Sequence, residues 1–222
     1  MVLFRNPPGE LSLLVKSFEA AARWPGAPRA SLRLLDNSPD DSLRAQAGPA
    51  GYSHAGVNLG FAAGHGQLMA QAFADPAAGA YLCLNPDAVL HPACLFELAA
   101  EASRRPDFGL VEAMQFPDEH AKPWDEKTGE VEWCSGCCLL VSRALYARIG
   151  GFDERFFLYG EDVDYSFRAK AAGFSLAIAP RALVHHYVGD RPREHASNQR
   201  IAEAEQLLKQ KHGRSAPGKA RW

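Results

Sequence analysis

The sequence predicts an α/β fold: a Rossmann-like, mostly parallel central sheet with helices on both faces, and a smaller mixed sheet beside it. Three observations carry this. Strand-like and helix-like segments alternate through the first hundred residues, the pattern of parallel strands joined by crossover helices. Acids and amides, Asp36-Asn37 and Asn85-Pro86-Asp87, stand where strands should end. Beyond Pro106 the pattern changes, and two strands follow one another across a polar loop with no helix between them. The 222 residues, 47% of them hydrophobic, suffice for one compact domain and are too few for two ordinary ones. We expect one domain over 1–213 and a basic flexible tail over 214–222.

Val2-Leu3-Phe4 is a short strand halted by Asn6-Pro7-Pro8-Gly9, and Leu11, Leu14, Val15, Phe18 and Ala22 then recur at helical spacing. Ser31–Leu35 is a second strand, stopped by the turn-favouring run from Asp36 to Asp41. The Gly-rich stretch Gly56–Gly66 opens a helix through Leu68, Met69 and Phe73. Ala80–Leu84 reads as a buried strand, and a helix follows from about Pro92 to Arg104 with proline in its permitted first turn. Next come strands over Phe108–Phe116 and Val131–Val141, separated by the polar loop Pro117–Glu130, which holds Trp124. A short helix over Arg143–Ile149 ends at Gly150-Gly151, and an aromatic, acidic stretch leads into a helix closing at Gly173. Phe174–Ala179 and Ala182–His186 read as two strands around Pro180-Arg181, before a last helix from Ala196 to about Lys211.

Charge and cysteine content narrow the function classes. With 24 Lys+Arg against 26 Asp+Glu the chain makes no global case for nucleic-acid binding. The sum hides an asymmetry: Arg181–Trp222 holds nine basic and four acidic residues, so the body is acidic and the end basic. That end reads as a solvated tail, or as a peripheral contact with an anionic membrane. No stretch approaches a membrane span, and Met1–Pro8 lacks the apolar run of a secretory signal, so the expected location is cytoplasmic. Five cysteines, an odd number, fit reduced thiols. Cys134-Ser-Gly-Cys137 has CxxC spacing, but apolar residues follow it, which favours a buried strand over a zinc or redox module.

Two constellations can carry chemistry. In a parallel sheet, ligands bind at the carboxyl edge of the strands, where Asp36, Asn37, Asn85 and Asp87 should crowd one rim. Together with the Gly60–Gly66 backbone they could serve a nucleotide diphosphate and its cation; taken singly, each is also an ordinary turn. The second is Glu161-Asp162-Val163-Asp164 among aromatic residues. Asp164, four residues before Arg168, suits a surface ion pair, whereas Asp162 is either a helix cap or a site residue. Of His185 and His186, successive in a strand, only one can face this cluster.

In these residues the chain resembles the inverting family-two glycosyltransferases with the GT-A fold, rhamnosyltransferase-like branch, from about Val2 to Gly213. The matching segments are Leu35-Asp36-Asn37-Ser38, Asn58–Gly64, Asn85-Pro86-Asp87-Ala88, Ser135–Arg143 and, nearly uninterrupted, Gly150–Arg168. The resemblance implies donor contacts from Asn6, Asp36, Asn37, Gly60, Gly64, Asn85 and Asp87. It also implies Mg2+ or Mn2+ held by Asp87 and His186, acceptor contacts from Trp133 and Glu161, and Asp162 as the base. Asn85 replaces the first carboxylate of a full DxD turn. The implied activity is metal-assisted, inverting transfer of a sugar, with rhamnose a candidate, from a dTDP or UDP donor to a surface glycan or lipid-linked precursor. The competing expectation is a catalytically idle GT-A domain that binds nucleotide sugar or a protein partner.

Overall fold

The computed structural model describes residues 1–117, 122–186 and 195–214, so the end of the proposed tail, from 215, lies outside the described residues, as does the 118–121 part of the polar loop. Two sheets form the framework. The first is parallel and three-stranded, β1 (Val2–Leu3), β2 (Arg33–Asp36) and β3 (Gly51–His54), in the order β1-β2-β3. The second is mixed and five-stranded: β4 (Ala80–Leu84), β5 (Val89–Leu90), β6 (Phe108–Pro117), β7 (Cys138–Ser142) and β8 (Ser175–His186), in the order β4-β7-β6-β8-β5. β6 and β8 are parallel, while β7 runs antiparallel to both β6 and β4. The carboxyl ends of β4, β6 and β8 therefore share one rim, where β7 begins.

Six helices pack around the sheets: α1 (Pro8–Ala22), α2 (Gly60–Phe73), α3 (Cys94–Ser103), α4 (Arg143–Ile149), α5 (Glu161–Ala171) and α6 (His195–His212). The α1 periodicity buries Leu11, Leu14, Val15 and Phe18 in one core cluster with Leu95 and Leu98 of α3 and Val111 and Val184 of the second sheet. The α2 helix ties the sheets together, since Ala62, Leu68 and Met69 share a cluster with Leu35 of β2 and Tyr81 and Cys83 of β4. α6 rests on a third cluster containing Trp133, Phe156, Val163 and Phe167.

Several local expectations change. The strand Ala80–Leu84 joins the mixed sheet rather than the parallel one. β3 and β5, four and two residues long, were absent from the sequence reading. Val131–Cys137 is mostly irregular, and strand structure starts at Cys138. The two strands around Pro180 are one strand, in which the register slips between Ala113↔Ala179 and Met114↔Leu183. The proline cannot donate to a ladder, and the extra residues bulge out, as strands accommodate it.

Candidate active site

The rim of the second sheet carries the Asn85-Pro86-Asp87 turn, His186 at the end of β8, and residues 134–137 leading into β7. His186 Nδ1 lies 3.1 Å from Gln115 Oε1. An amide oxygen only accepts, so Nδ1 carries the proton and Nε2 presents its lone pair. That Nε2 stands 3.4 Å from Asp87 Oδ1 and 3.4 Å from the Asn85 side-chain amide, which donates to it. Two cis ligands of an octahedral divalent cation lie about 3 Å apart, so Asp87 and His186 fit one cation with little adjustment. Among the described residues no cluster offers three or more such side chains, so a cation here would complete its coordination with phosphate and water. Asn85 meets His186 through its side chain, and its backbone N–H donates to Cys137 O at 2.8 Å.

That same strap reaches the acidic helix. Gly136 N donates to Asp162 Oδ2 at 2.8 Å, and Cys83 Sγ donates to Gly136 O at 3.2 Å. A Cβ on Gly136 would come within 3.2 Å of Phe61 and 3.6 Å of the Asp162 Cβ, so the close approach favours glycine. Val163 N also donates to Asp162, at Oδ1. Burial pushes the Asp162 carboxyl up, against the pull of these amides. Glu161 beside it is pushed further up, by burial and then by the Asp162 charge, and its Oε2 has no hydrogen-bond partner among the described residues.

Asp164 is separate from this site, and its expected surface pairing needs correction. It does bond Arg168 at 2.8 Å, but it is fully buried because α6 covers it, adding Lys211 and, at 2.8 Å, His212.

The first sheet supplies the other half of the expected rim. Asp36 is fully buried and already satisfied, accepting from Ser38 N at 2.8 Å and the Tyr52 hydroxyl at 2.6 Å. Tyr52, on the unpredicted β3, closes it off from a ligand in this conformation. Asn37 donates to Gly60 O at 3.2 Å, while its buried Oδ1 has no hydrogen-bond partner among the described residues. Asn6 Oδ1 accepts from Phe4 N and shapes the loop after β1. Gly60 and Gly64 have packing reasons of their own. Gly60 has φ +79°, and a Cβ there would sit 2.4 Å from Phe157 O; one on Gly64 would sit 2.8 Å from Val2. Helix α2 brings this half beside β4.

Trp133, expected at the acceptor, is completely buried with Lys122 Nζ 4.2 Å over its ring. The CxxC thiols are buried too, and burial pushes both up. The sequence reading missed Glu112, Gln115 and Lys122. Glu112 left a signal, a lone carboxylate in an otherwise uncharged strand, whereas Lys122 left none in its polar loop.

Comparison with known proteins follows the same lines. Residues 113–211 match the family described as "Glycosyltransferase like family 2". An 84-residue stretch is 39% identical to the N-acetylglucosaminyl-diphospho-decaprenol L-rhamnosyltransferase of Mycobacterium tuberculosis, covering 37% of this chain and 26% of that protein. A 57-residue stretch is 39% identical to the rhamnosyltransferase WbbL of Escherichia coli, covering 26% of this chain and 22% of that one. The matched stretches thus span about a quarter of these relatives' length. Among solved structures, the mannosyltransferase PcManGT of Pyrobaculum calidifontis, in complex with GDP-Man and Mn2+, superposes with a TM-score of 0.68 at 13% identity, over 97% of this chain and 65% of that one. The fold is that of the GT-A glycosyltransferases.

Proposed function

We propose, on the premise that family, relatives and fold support a family-two glycosyltransferase of the rhamnosyltransferase branch, that this chain transfers a sugar from a nucleoside diphosphate donor to a hydroxyl of a glycan or lipid-linked precursor. The observation that carries this is the strap 135–137, which connects a buried carboxylate, Asp162, to the Asn85–Asp87 turn and His186 through successive peptide groups.

In this reading Asp162 accepts the proton of the acceptor hydroxyl as that oxygen attacks the anomeric carbon from the side opposite the diphosphate, inverting its configuration. Its raised affinity for protons, caused by burial, suits a base near neutral pH. Asp87 and His186 would hold Mg2+ or Mn2+, which when bound would neutralise charge on the departing diphosphate. Asn37, with its buried acceptor oxygen, is the stronger candidate for a nucleoside contact; Asp36 would contribute after Tyr52 moves. Glu161 faces the acceptor and Trp133 supports that wall from within. The donor is dTDP- or UDP-linked, with rhamnose the leading sugar. A lipid-linked acceptor would bring the chain to the cytoplasmic membrane's inner face, with the basic residues after Gly213 contributing attraction. No helix among the described residues is long and apolar enough to cross a membrane.

A transfer assay decides between this and an idle binding domain. Product whose anomeric configuration is inverted by NMR, dependent on added Mn2+ or Mg2+ and lost in Asp162→Asn, is the expected result. Equal trace turnover in both proteins would sink the proposal.

A further inference from the structure

Glu112 sits in the middle of β6, and its partner Lys122 follows the loop after that strand. Both side chains are almost fully buried, 5% and 2% exposed, and their charged atoms are 2.5 Å apart. Burying an ammonium and a carboxylate is costly even when they are paired, and a pair of apolar residues would often serve the core as well. A reason for keeping the charges lies in what they touch. Glu112 Oε2 accepts from Ser135 N, and the very next amide, Gly136 N, donates to Asp162. Two adjacent peptide groups thus hold two acids from different elements, one from β6 and one from α5. Lys122, fixed over the Trp133 ring, is close enough to act on both.

We propose that Glu112 and Lys122 are positioning residues for Asp162: Lys122 supplies the buried cation on the Asp162 side of the strap, and Glu112 fixes both that cation and the strap that presents Asp162 to substrate. The importance of this for turnover rests on the reading of Asp162 as the base. Among the described residues, the charged and titratable groups facing Asp162 are few. They are Glu161 on its own helix, Glu112 from β6, Lys122, the Cys83 thiol from β4 and the Cys134 thiol ahead of the strap. Burial keeps both thiols protonated. Lys122 is the cation of this set, opposing two acids and the burial itself.

Opposite signs follow from the two single charge removals. Taking away the ammonium leaves Asp162 with burial and like charges, so its titration moves up. Taking away the Glu112 charge removes a repulsion and frees the cation to act on Asp162, so its titration moves down. A pair that merely filled space would move neither.

The test uses the full chain with 13C-labelled aspartate carboxyls, titrated by NMR, in the wild type and in Lys122→Met, Lys122→Arg and Glu112→Gln. Asp162 is identified by its loss in Asp162→Asn. Release of dTDP from dTDP-rhamnose is followed over the same pH range. Expected is an upward shift of about one pH unit in Lys122→Met, so that activity falls roughly tenfold on the acid limb of the pH profile and little on its alkaline plateau. Glu112→Gln should shift downward and Lys122→Arg should stay near wild type. If Lys122→Met does not fold, the uncharged double variant Lys122→Met/Glu112→Gln replaces it, and its titration should lie above that of Glu112→Gln, from which it differs by loss of the ammonium. Titrations within about 0.2 units of one another in all variants overturn the proposal. An Asp162→Asn variant that keeps its rate while the NMR shifts appear removes the base reading and leaves the charge assignment standing.

Discussion

Asp162 and Asp164 lie two residues apart on one helix, and their surroundings have almost nothing in common. Asp162 is held by two backbone amides, with no cation in direct contact among the described residues, and burial raises its proton affinity. Asp164 is enclosed by Arg168, Lys211 and His212; burial alone would raise it, but these three donors together bring it below the usual carboxylate range. Helical rotation sends the two side chains in different directions, one to the strap and the other beneath α6. Acids placed together in a sequence can thus be poised for proton transfer or locked into scaffolding, and the partners decide which. An acid surrounded by cations is a poor base, because their attraction must be overcome before it binds a proton.

The widest separation should appear in turnover. Asp162→Asn is expected to lower the transfer rate by about 10²–10⁴-fold while the protein stays folded, as for loss of a general base. Asp164→Asn should leave the chemistry of the folded fraction intact yet cost about 3–5 kcal/mol of stability, because two half-buried cations, Arg168 and Lys211, and the His212 ring lose their partner. Rate measurements normalised to folded protein by thermal melts distinguish the two. An Asp164→Asn protein of full stability would break the contrast.

The pH dependence of stability sharpens it further. Asp164 has a depressed folded value, so its contribution is complete above the unfolded carboxylate value of about 3.9 and disappears as pH falls through the folded value. Asp162 has a raised folded value, so its ionisation lowers stability as pH rises from about 3.9 through that value. Melting temperatures from about pH 2 to 8 should therefore show Asp164→Asn losing ground to wild type as pH rises toward about 3.9 and keeping a constant deficit above it, while Asp162→Asn gains on wild type as pH rises beyond about 3.9.

Smaller effects lie at the partners. Asp87→Ala is expected to weaken Mn2+ binding at least tenfold, by calorimetry or Mn2+ relaxation, and Gln115→Ala by less, through loss of imidazole orientation. His212→Ala should cost about 1 kcal/mol in denaturant unfolding, since Lys211 and Arg168 still hold Asp164.

The sequence was legible where local pattern and chemistry coincide. The alternation of strands and helices gave the fold class, and helix Arg143–Ile149 was predicted to the residue, bounded by Ser142 as its cap and by Gly150. Asp162 and the Asp87–His186 pairing followed from the resemblance, and the geometry brings each to the strap-bearing rim. What stayed hidden depends on long-range pairing. Tyr52 caps Asp36 across sixteen residues, from a strand whose sequence, Gly-Tyr-Ser-His, shows no hydrophobic alternation. The α6 clasp on Asp164 spans nearly fifty, and no periodicity within either helix announces it. Glu112 and Lys122 become meaningful together, and the chain between them has no fixed pattern to read.

Residues 135–137 impose a constraint on how this chain can vary. Ser135 N, Gly136 N, Gly136 O and Cys137 O answer to four different elements, namely β6, α5, β4 and the Asn85 turn. Adding or deleting a single residue there would put every later link one step out of phase, whereas the exposed turn tip Glu126-Lys127 of the neighbouring loop, bridged beneath by Gly129 N donating to Asp125 O, could lengthen without disturbing them. Homologous chains should accordingly differ in length on one side of Val131 and keep an unvarying count on the other.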